Sequence, residues 1–331
     1  VFRARARDRV ATVHAVSRSA RLWLTGALVL TLAGCAGQVD LSKTVTARTT
    51  VKASGSFTDD ALRLVEPCQL LTDPLIDSIG KKKSTSLVNR SGYSECSVSI
   101  TDKATAKQNV ILTIKIGADL LGVPKQTSKS IRGLGVYETS GTASCTENAI
   151  TDKDHGIIAQ VFWEGGDMCG SASKMLESVI RQIAEKPPVY QETPGSLVSL
   201  DPCAAIDDTT ARAIFGAAAS KNKFGIRSCL YQADLTVVGV DYTIGDDPFT
   251  SNSSRSPVRV DVTGKIKGAT QYRSSISPKK CIIEWTHRAL SGNRNENVRV
   301  SFERSPEDPK EDPCTKTMEA AKAVAGKLAK S

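Results

Sequence analysis

The sequence has few of the residues that most enzymes work with. It holds three histidines in 331 residues, and aromatic side chains make up only 5% of it. His14 lies in the N-terminal leader, which leaves His155 and His287. In T-D-K-D-H-G, His155 reads as a turn residue before a strand; in E-W-T-H-R, His287 reads as a strand residue. There is no C-x-x-C, H-E-x-x-H, G-x-S-x-G or P-loop, so no familiar metal, nucleophile or phosphate-binding motif is present, and no cofactor is expected. The chain also lacks a concentrated basic stripe. Its net charge of +9 owes +5 to the six arginines and one aspartate of residues 1–34. Residues 61–186 hold 14 acidic and 15 basic side chains, and residues 197–331 hold 16 and 20. The run Lys81-Lys82-Lys83 reads as a solvated loop. Phosphate tracking needs a dense basic face, so a nucleic-acid partner is not expected. With so few aromatics, the cores must be built from Val, Ile, Leu and Ala, while Trp163 and Trp285, each near a strand, read as core packing.

No apolar run is long enough to span a bilayer as a helix. The longest, Leu22–Leu32, follows two arginines and ends in L-A-G-C at Cys35. That layout is a secretion signal, and its end resembles the bacterial lipobox, in which the cysteine is lipidated and the leader is cut before it. Cys35 is therefore the expected lipidation site, residues 1–34 the signal peptide, and the membrane the first partner, reached through acyl chains on the extracytoplasmic face. Residues 1–15 add four arginines that a signal does not need and suggest an over-extended start. Residues 35–59, rich in Thr and Ser, read as the lipidated cysteine and a flexible tether.

The rest of the chain is written twice. E-P-C at 66–68 and D-P-C at 201–203 each precede a helix-like run ending at a glycine, Cys68 to Gly80 and Cys203 to Gly216. The acid suits the cap, the proline the first turn and the glycine the exit. A strand carrying the second cysteine follows, S-E-C-S-V-S-I or R-S-C-L-Y-Q-A, and the next strand ends at Ile116-Gly117 or Ile244-Gly245. Then Ile131-Arg132-Gly133 with Tyr137 matches Ile266-Lys267-Gly268 with Tyr272, and the third cysteine lies eight or nine residues on. A strong strand follows in each copy, and the fourth cysteine opens an amphipathic helix. This order predicts a first repeat domain over 60–186, a Pro-rich linker over 187–196 and a second, more basic repeat domain over 197–331.

Eight cysteines remain beyond Cys35: Cys68, Cys96, Cys145 and Cys169, then Cys203, Cys229, Cys281 and Cys314. An exported protein sits where disulfides persist. Four cysteines allow three pairings per domain, and sequence alone does not choose among them. The first and fourth sit at helix starts and the second and third on or beside strands, which favours first-to-second and third-to-fourth. Each such bond closes a loop of roughly 25–35 residues and contributes about 3–4 kcal/mol in the chain-entropy model. Zinc would need ligand spacings that are absent, so no metal is expected.

The lipobox leader, the Ser/Thr-rich tether, Glu66-Pro67-Cys68-Gln69-Leu70-Leu71 and Gly133-Leu134-Gly135 together resemble an actinobacterial lipoprotein family, that of domain of unknown function 3558. The second copy keeps Asp201-Pro202-Cys203 but has Ala205-Ile206 and Gly268-Ala269-Thr270 where the first has the leucine pair and G-L-G. A tandem arrangement departs from the usual single domain. The resemblance implies an α+β fold, with a mainly antiparallel sheet flanked by N- and C-terminal helices in an α/β/α sandwich-like arrangement, present here as two tandem copies with two disulfides each. It implies no catalytic residues. The expected function is a non-catalytic module of the cell envelope that binds an apolar small molecule or another envelope protein. The alternatives are a structural accessory of a secretion or cell-wall complex, and an envelope hydrolase using His287 with Glu284.

Overall fold

A computed structural model describes residues 55–82, 88–103, 109–120, 129–191, 193–234, 236–277, 279–304 and 312–329. The leader, Cys35, most of the tether and Lys83 lie outside the described residues.

The first half is one antiparallel sheet. Its strands are β1 (Gly80–Lys82), β2 (Val88–Ser91), β3 (Glu95–Asp102), β4 (Asn109–Asp119), β5 (Ser130–Ile131), β6 (Leu134–Ser140), β7 (Ser144–Asp152) and β8 (His155–Phe162). They lie in the order β1-β3-β4-β8-β7-β6-β5, with β2 also pairing β3 so that β1 and β2 share one edge. In the second half the strands are β9 (Ser220–Lys223), β10 (Ser228–Ala233), β11 (Thr236–Gly245), β12 (Val258–Val260), β13 (Ala269–Arg273), β14 (Lys280–Ala289) and β15 (Asn295–Glu303). Read from the same edge, their order is β9-β10-β11-β15-β14-β13-β12. The two orders coincide strand for strand, Tyr137 falling on β6 and Tyr272 on its counterpart β13. The duplication seen in the sequence is a duplication of topology.

Alternation fixes which face each sheet buries. On β4, Val110, Leu112, Ile114 and Ile116 are buried while Ile111 is 38% exposed. On β11 the buried set is Val238, Val240, Tyr242 and Ile244. A helix opened by the fourth cysteine's segment covers each face. In the first half this is α4 (Met168–Glu185), whose Ala172, Met175, Leu176, Val179, Ile180 and Ile183 recur at helical spacing and are buried. In the second half it is α7 (Pro313–Leu328), which presents Ala320, Ala321, Val324 and Ala325, small residues that let the helix lie close to its sheet. The short helix α6 (Pro248–Ser251) contacts β13 and β14, and the turn after it places Arg255 over the Tyr272 ring on the outer face of the second sheet.

The N-terminal segments differ from the sequence expectation in two places. The run from Cys68 to Gly80 is not one helix but two, α2 (Pro67–Leu70) and α3 (Asp73–Ile79), because Thr72 is extended as the N-cap of a new helix that holds Pro74 in its first turn. In the second half the same break separates a 3₁₀ turn at Pro202–Ala204 from α5 (Asp208–Phe215). The acids cap as expected: Glu66 accepts from the Cys68 amide at 3.3 Å and Asp201 from the Cys203 amide at 2.9 Å. Order also begins before residue 60, since Phe57 is buried and α1 (Asp59–Leu64) packs on β4. Among the described residues of the linker, contacts to both halves hold it in place. Val189 pairs with Val65, the Tyr190 hydroxyl donates to the Tyr93 carbonyl at 2.8 Å, and the Ser196 hydroxyl to Glu296 at 2.6 Å.

Four disulfides join Cys68 to Cys96, Cys145 to Cys169, Cys203 to Cys229 and Cys281 to Cys314. This is the first-to-second, third-to-fourth pairing in both halves, and each bond ties a helical segment to the sheet.

Candidate functional site

The described residues fall in one compact unit, and its two halves are joined by a reciprocal exchange. In each half, the turn between the edge strand and the cysteine-bearing strand carries a glycine four residues before the cysteine, Gly92 and Gly225, with φ of 69° and 75°. An apolar residue follows each glycine and is buried in the other half. Tyr93, from the first half, belongs to the core of the second. Ile226, from the second half, belongs to the core of the first. The Ile226 amide donates to the Gly117 carbonyl at 2.9 Å. Gly117 itself has φ of 61°, and a Cβ there would lie 2.4 Å from the Ile226 side chain, so only glycine admits the plug. The contact is isologous in the manner of a two-fold dimer, but between halves of one chain.

Beneath the exchange lies Arg227. Its guanidinium donates to the carbonyls of Val198 and Arg63 and stacks 4.5 Å over the Tyr93 ring. Burial lowers its pKa to about 10, so it stays charged at neutral pH, held by carbonyls and a π face instead of a carboxylate. Burial also pushes the Tyr93 phenol up, and the Glu296 carboxylate adds to that, so the hydroxyl stays neutral.

The junction has two edges. One is closed. There the Asp59 carboxylate sits between Lys223, at 2.5 Å, and the His155 imidazole, whose Nδ1 lies 3.6 Å away. The His155 and Lys223 contacts hold the Asp59 carboxyl well below its ordinary range against the opposing effect of burial. Burial disfavours the charged His155 ring, but Asp59 outweighs it and raises the pKa. His155 is thus a buried residue of β8, not a turn residue. Asp152 completes a group with metal-ligand spacing, but the Lys223 ammonium already serves the Asp59 carboxylate, which disfavours a cation there. The other such group, Glu138 with Cys145 and Cys169, uses sulfurs engaged in a disulfide.

The other edge is open and forms a cleft of 510 Å³. Its polar walls are Arg90, Arg288, Arg294, Glu296 and Tyr190, and its apolar walls include Val88 and Leu290. Arg90 stands six residues before Cys96, as Lys223 does before Cys229, and Nη2 of Arg90 pairs with Glu66 at 2.7 Å. Arg288 grips Glu296 with two bonds, at 2.8 and 3.1 Å. Burial opposes the charge on Glu296, but bonds from Ser196, Arg288 and the Leu197 amide keep its carboxyl below the ordinary value. Arg294 is different. Its Nη2 donates to the Arg90 carbonyl at 2.9 Å and the Ile244 carbonyl at 3.5 Å, and no carboxylate pairs with it among the described residues.

His287 and Glu284 are not joined. His287 Nε2 lies 2.9 Å from the Gly195 carbonyl, while Glu284 accepts from the Tyr272 hydroxyl at 3.3 Å and faces Arg299. Trp285 is buried and Trp163 packs at the edge of the first core, as expected of both. Lys81 and Lys82 are exposed on β1. Among the described residues no helix is long and apolar enough to cross a membrane.

The sequence reading did not single out the cleft arginines or the plug residues. The signal for the plugs was present, in S-G-Y-S-E-C and F-G-I-R-S-C, where glycine and an apolar residue precede the second cysteine at the same distance in both copies.

No family model matches the chain, and no curated protein matches it. Among solved structures, the di-domain ARO/CYC StfQ from the steffimycin biosynthetic pathway aligns over 81% of this chain and 97% of its own at 8% identity. Its TM-score of 0.17 is too low for the likeness to bear on fold or activity.

Proposed function

We propose that the protein is an extracytoplasmic lipoprotein, held to the cell membrane through acyl chains on Cys35, and that it acts as a non-catalytic ligand-binding module of the cell envelope. The resemblance to the lipoprotein family of domain of unknown function 3558 supports the location. One observation carries the binding role: the junction of the two halves leaves a 510 Å³ cleft, within the usual size of a small-molecule site and at the usual place, between domains. Its walls offer guanidiniums, a phenol and apolar side chains, and the carboxylates nearest to it are engaged in holding the fold. Such walls suit recognition.

Native mass spectrometry of the full chain, released from membranes in mild detergent, tests this reading against the denatured, non-reduced mass. The expected result is a native species heavier by one small molecule, lost on denaturation, with a denatured mass light by eight hydrogens for four disulfides. A native mass with no cargo, together with no response to any small ligand, would favour the structural-accessory role.

A further inference from the structure

We propose that the cleft is an oxyanion site, in which Arg294 receives the carboxylate or phosphate group of a small ligand while the ligand's carbon skeleton lies against Val88 and Leu290. The proposal rests on the binding role assigned above and names the chemistry of its ligand.

Comparison of the two edges of the junction makes the argument. The halves share one topology and exchange equivalent turns, so each edge presents the same elements: the strand before the second cysteine, the first residues of β8 or of its counterpart β15, and the segment leading into the half. At the closed edge, the edge-strand cation Lys223 is met by a carboxylate from the leading segment, Asp59. At the open edge, the corresponding cation Arg90 is met from behind by Glu66, and the leading segment lines the cleft with Tyr190, Gln191 and Ser196, none of them a carboxylate. Arg294 adds a further positive charge that nothing described neutralises. The closed edge is filled by the chain's own carboxylate; the open edge carries the cations and a cavity in place of that carboxylate.

Arg294 is also pre-oriented. Its two carbonyl partners come from different halves, Arg90 from the first and Ile244 from the second, and both are met by Nη2, so the guanidinium is fixed only when the halves are docked, with Nη1 making no bond among the described residues. A guanidinium already positioned loses little freedom on donating through Nη1 to a carboxylate or phosphate in a charge-assisted hydrogen bond. Arg90 and Arg288 also line the cleft, but each is paired with a carboxylate, Glu66 and Glu296, which leaves Arg294 as the uncompensated charge among the lining residues described. The exposed side chain of Val88, at 52%, gives the cleft an apolar lip that a bare inorganic anion would leave unused.

The test is calorimetric titration of the full chain in a non-ionic detergent with three probes: inorganic phosphate, hexanoate, and a short-chain phosphatidylglycerol below its micelle concentration. At least one of the three should bind, and Arg294→Gln should weaken it tenfold or more, with Arg294→Lys intermediate because it keeps the charge but not the carbonyl-anchored guanidinium. Tighter binding of the phosphatidylglycerol than of phosphate assigns the anion to a lipid headgroup; equal binding assigns it to a free anion. Ser291→Glu, on the exposed wall of the cleft, supplies a chain carboxylate beside Arg294 and should abolish binding without touching the arginine, which keeps the test open should Arg294→Gln misfold. Unchanged affinity in both variants overturns the proposal. So does the absence of oxyanion binding in a protein that carries an uncharged cargo, a result that leaves the binding role standing; absence of any cargo or binding removes both.

Discussion

His155 shows how one side chain ties the pH response of the molecule to the docking of its halves. It lies on β8 of the first half, faces Asp59 from α1 and Asp152 from β7, and meets the carbonyl of Lys223 from the second half, whose ammonium pairs with the same Asp59. Its pKa is raised above the ordinary 6.5 because Asp59 prevails over burial. A raised basic group stabilises the fold fully below its unfolded pKa and loses that contribution as pH climbs through the folded value. Asp59, whose pKa is lowered, acts in the opposite sense: its contribution is present above its unfolded value near 3.8 and fades as pH falls below that. The cluster is therefore strongest between the two, in mildly acidic solution. Melting temperature measured against pH should fall for the natural protein as pH rises beyond 6.5, and the His155→Gln protein should lack that step. Parallel curves would show that His155 does not carry the effect. The sequence hid this residue because its partners lie 96 positions before it and 68 after it, and a lone histidine beside a turn carries no local sign of burial.

At the scale of elements, the two cysteine-linked hairpins are the devices that lock the junction. Each presents a positive-φ glycine and then one apolar residue, and each inserts that residue into the opposite core. Ile226 is 2% exposed, so truncating it leaves a hole in a core to which its own half contributes little else. Ile226→Ala should lower the free energy of unfolding by about 2–5 kcal/mol, the range for deleting a large buried aliphatic side chain. Denaturant titration checks it; a loss well under 1 kcal/mol would mean that the plug is not seated. Much of this level was legible in the sequence. The caps at Glu66 and Asp201, the amphipathic α4 and α7 and the cysteine-bearing strands all follow from local patterns, whereas the disulfide pairing was only favoured by them, since four cysteines admit three pairings. The break between α2 and α3 was written in Thr72-Asp73-Pro74 but was masked by the apolar spacing of Leu71, Leu75 and Ile76, which survives the break because all three still face the core. The seating of the plugs was not legible, since a single apolar residue at a turn tip looks the same whether it meets solvent, ligand or another core.

The whole molecule behaves in this account as one body made from two copies. The described residues of the linker contact both halves, the plugs interlock, and Arg227 reaches from the second half to the Arg63 carbonyl of the first. The cleft exists only while they are joined, because its arginines come from both sides. Net charge and composition gave no hint of this: the two copies differ by a few charges, and the junction uses buried arginines that count the same as surface ones. The account thus stands or falls on whether the halves unfold together. Each half holds one tryptophan, Trp163 in the first and Trp285 in the second, and the remaining one, Trp23, lies in the leader. With Trp23 replaced by Phe, fluorescence-monitored urea unfolding of Trp163→Phe reports on the second half and that of Trp285→Phe on the first. Once each curve is corrected for the stability lost to its own substitution, the two transitions should coincide with each other and with the loss of far-ultraviolet circular dichroism, as one cooperative unit requires. Two separated transitions, one for each half, would contradict the interlocked junction and with it the cleft.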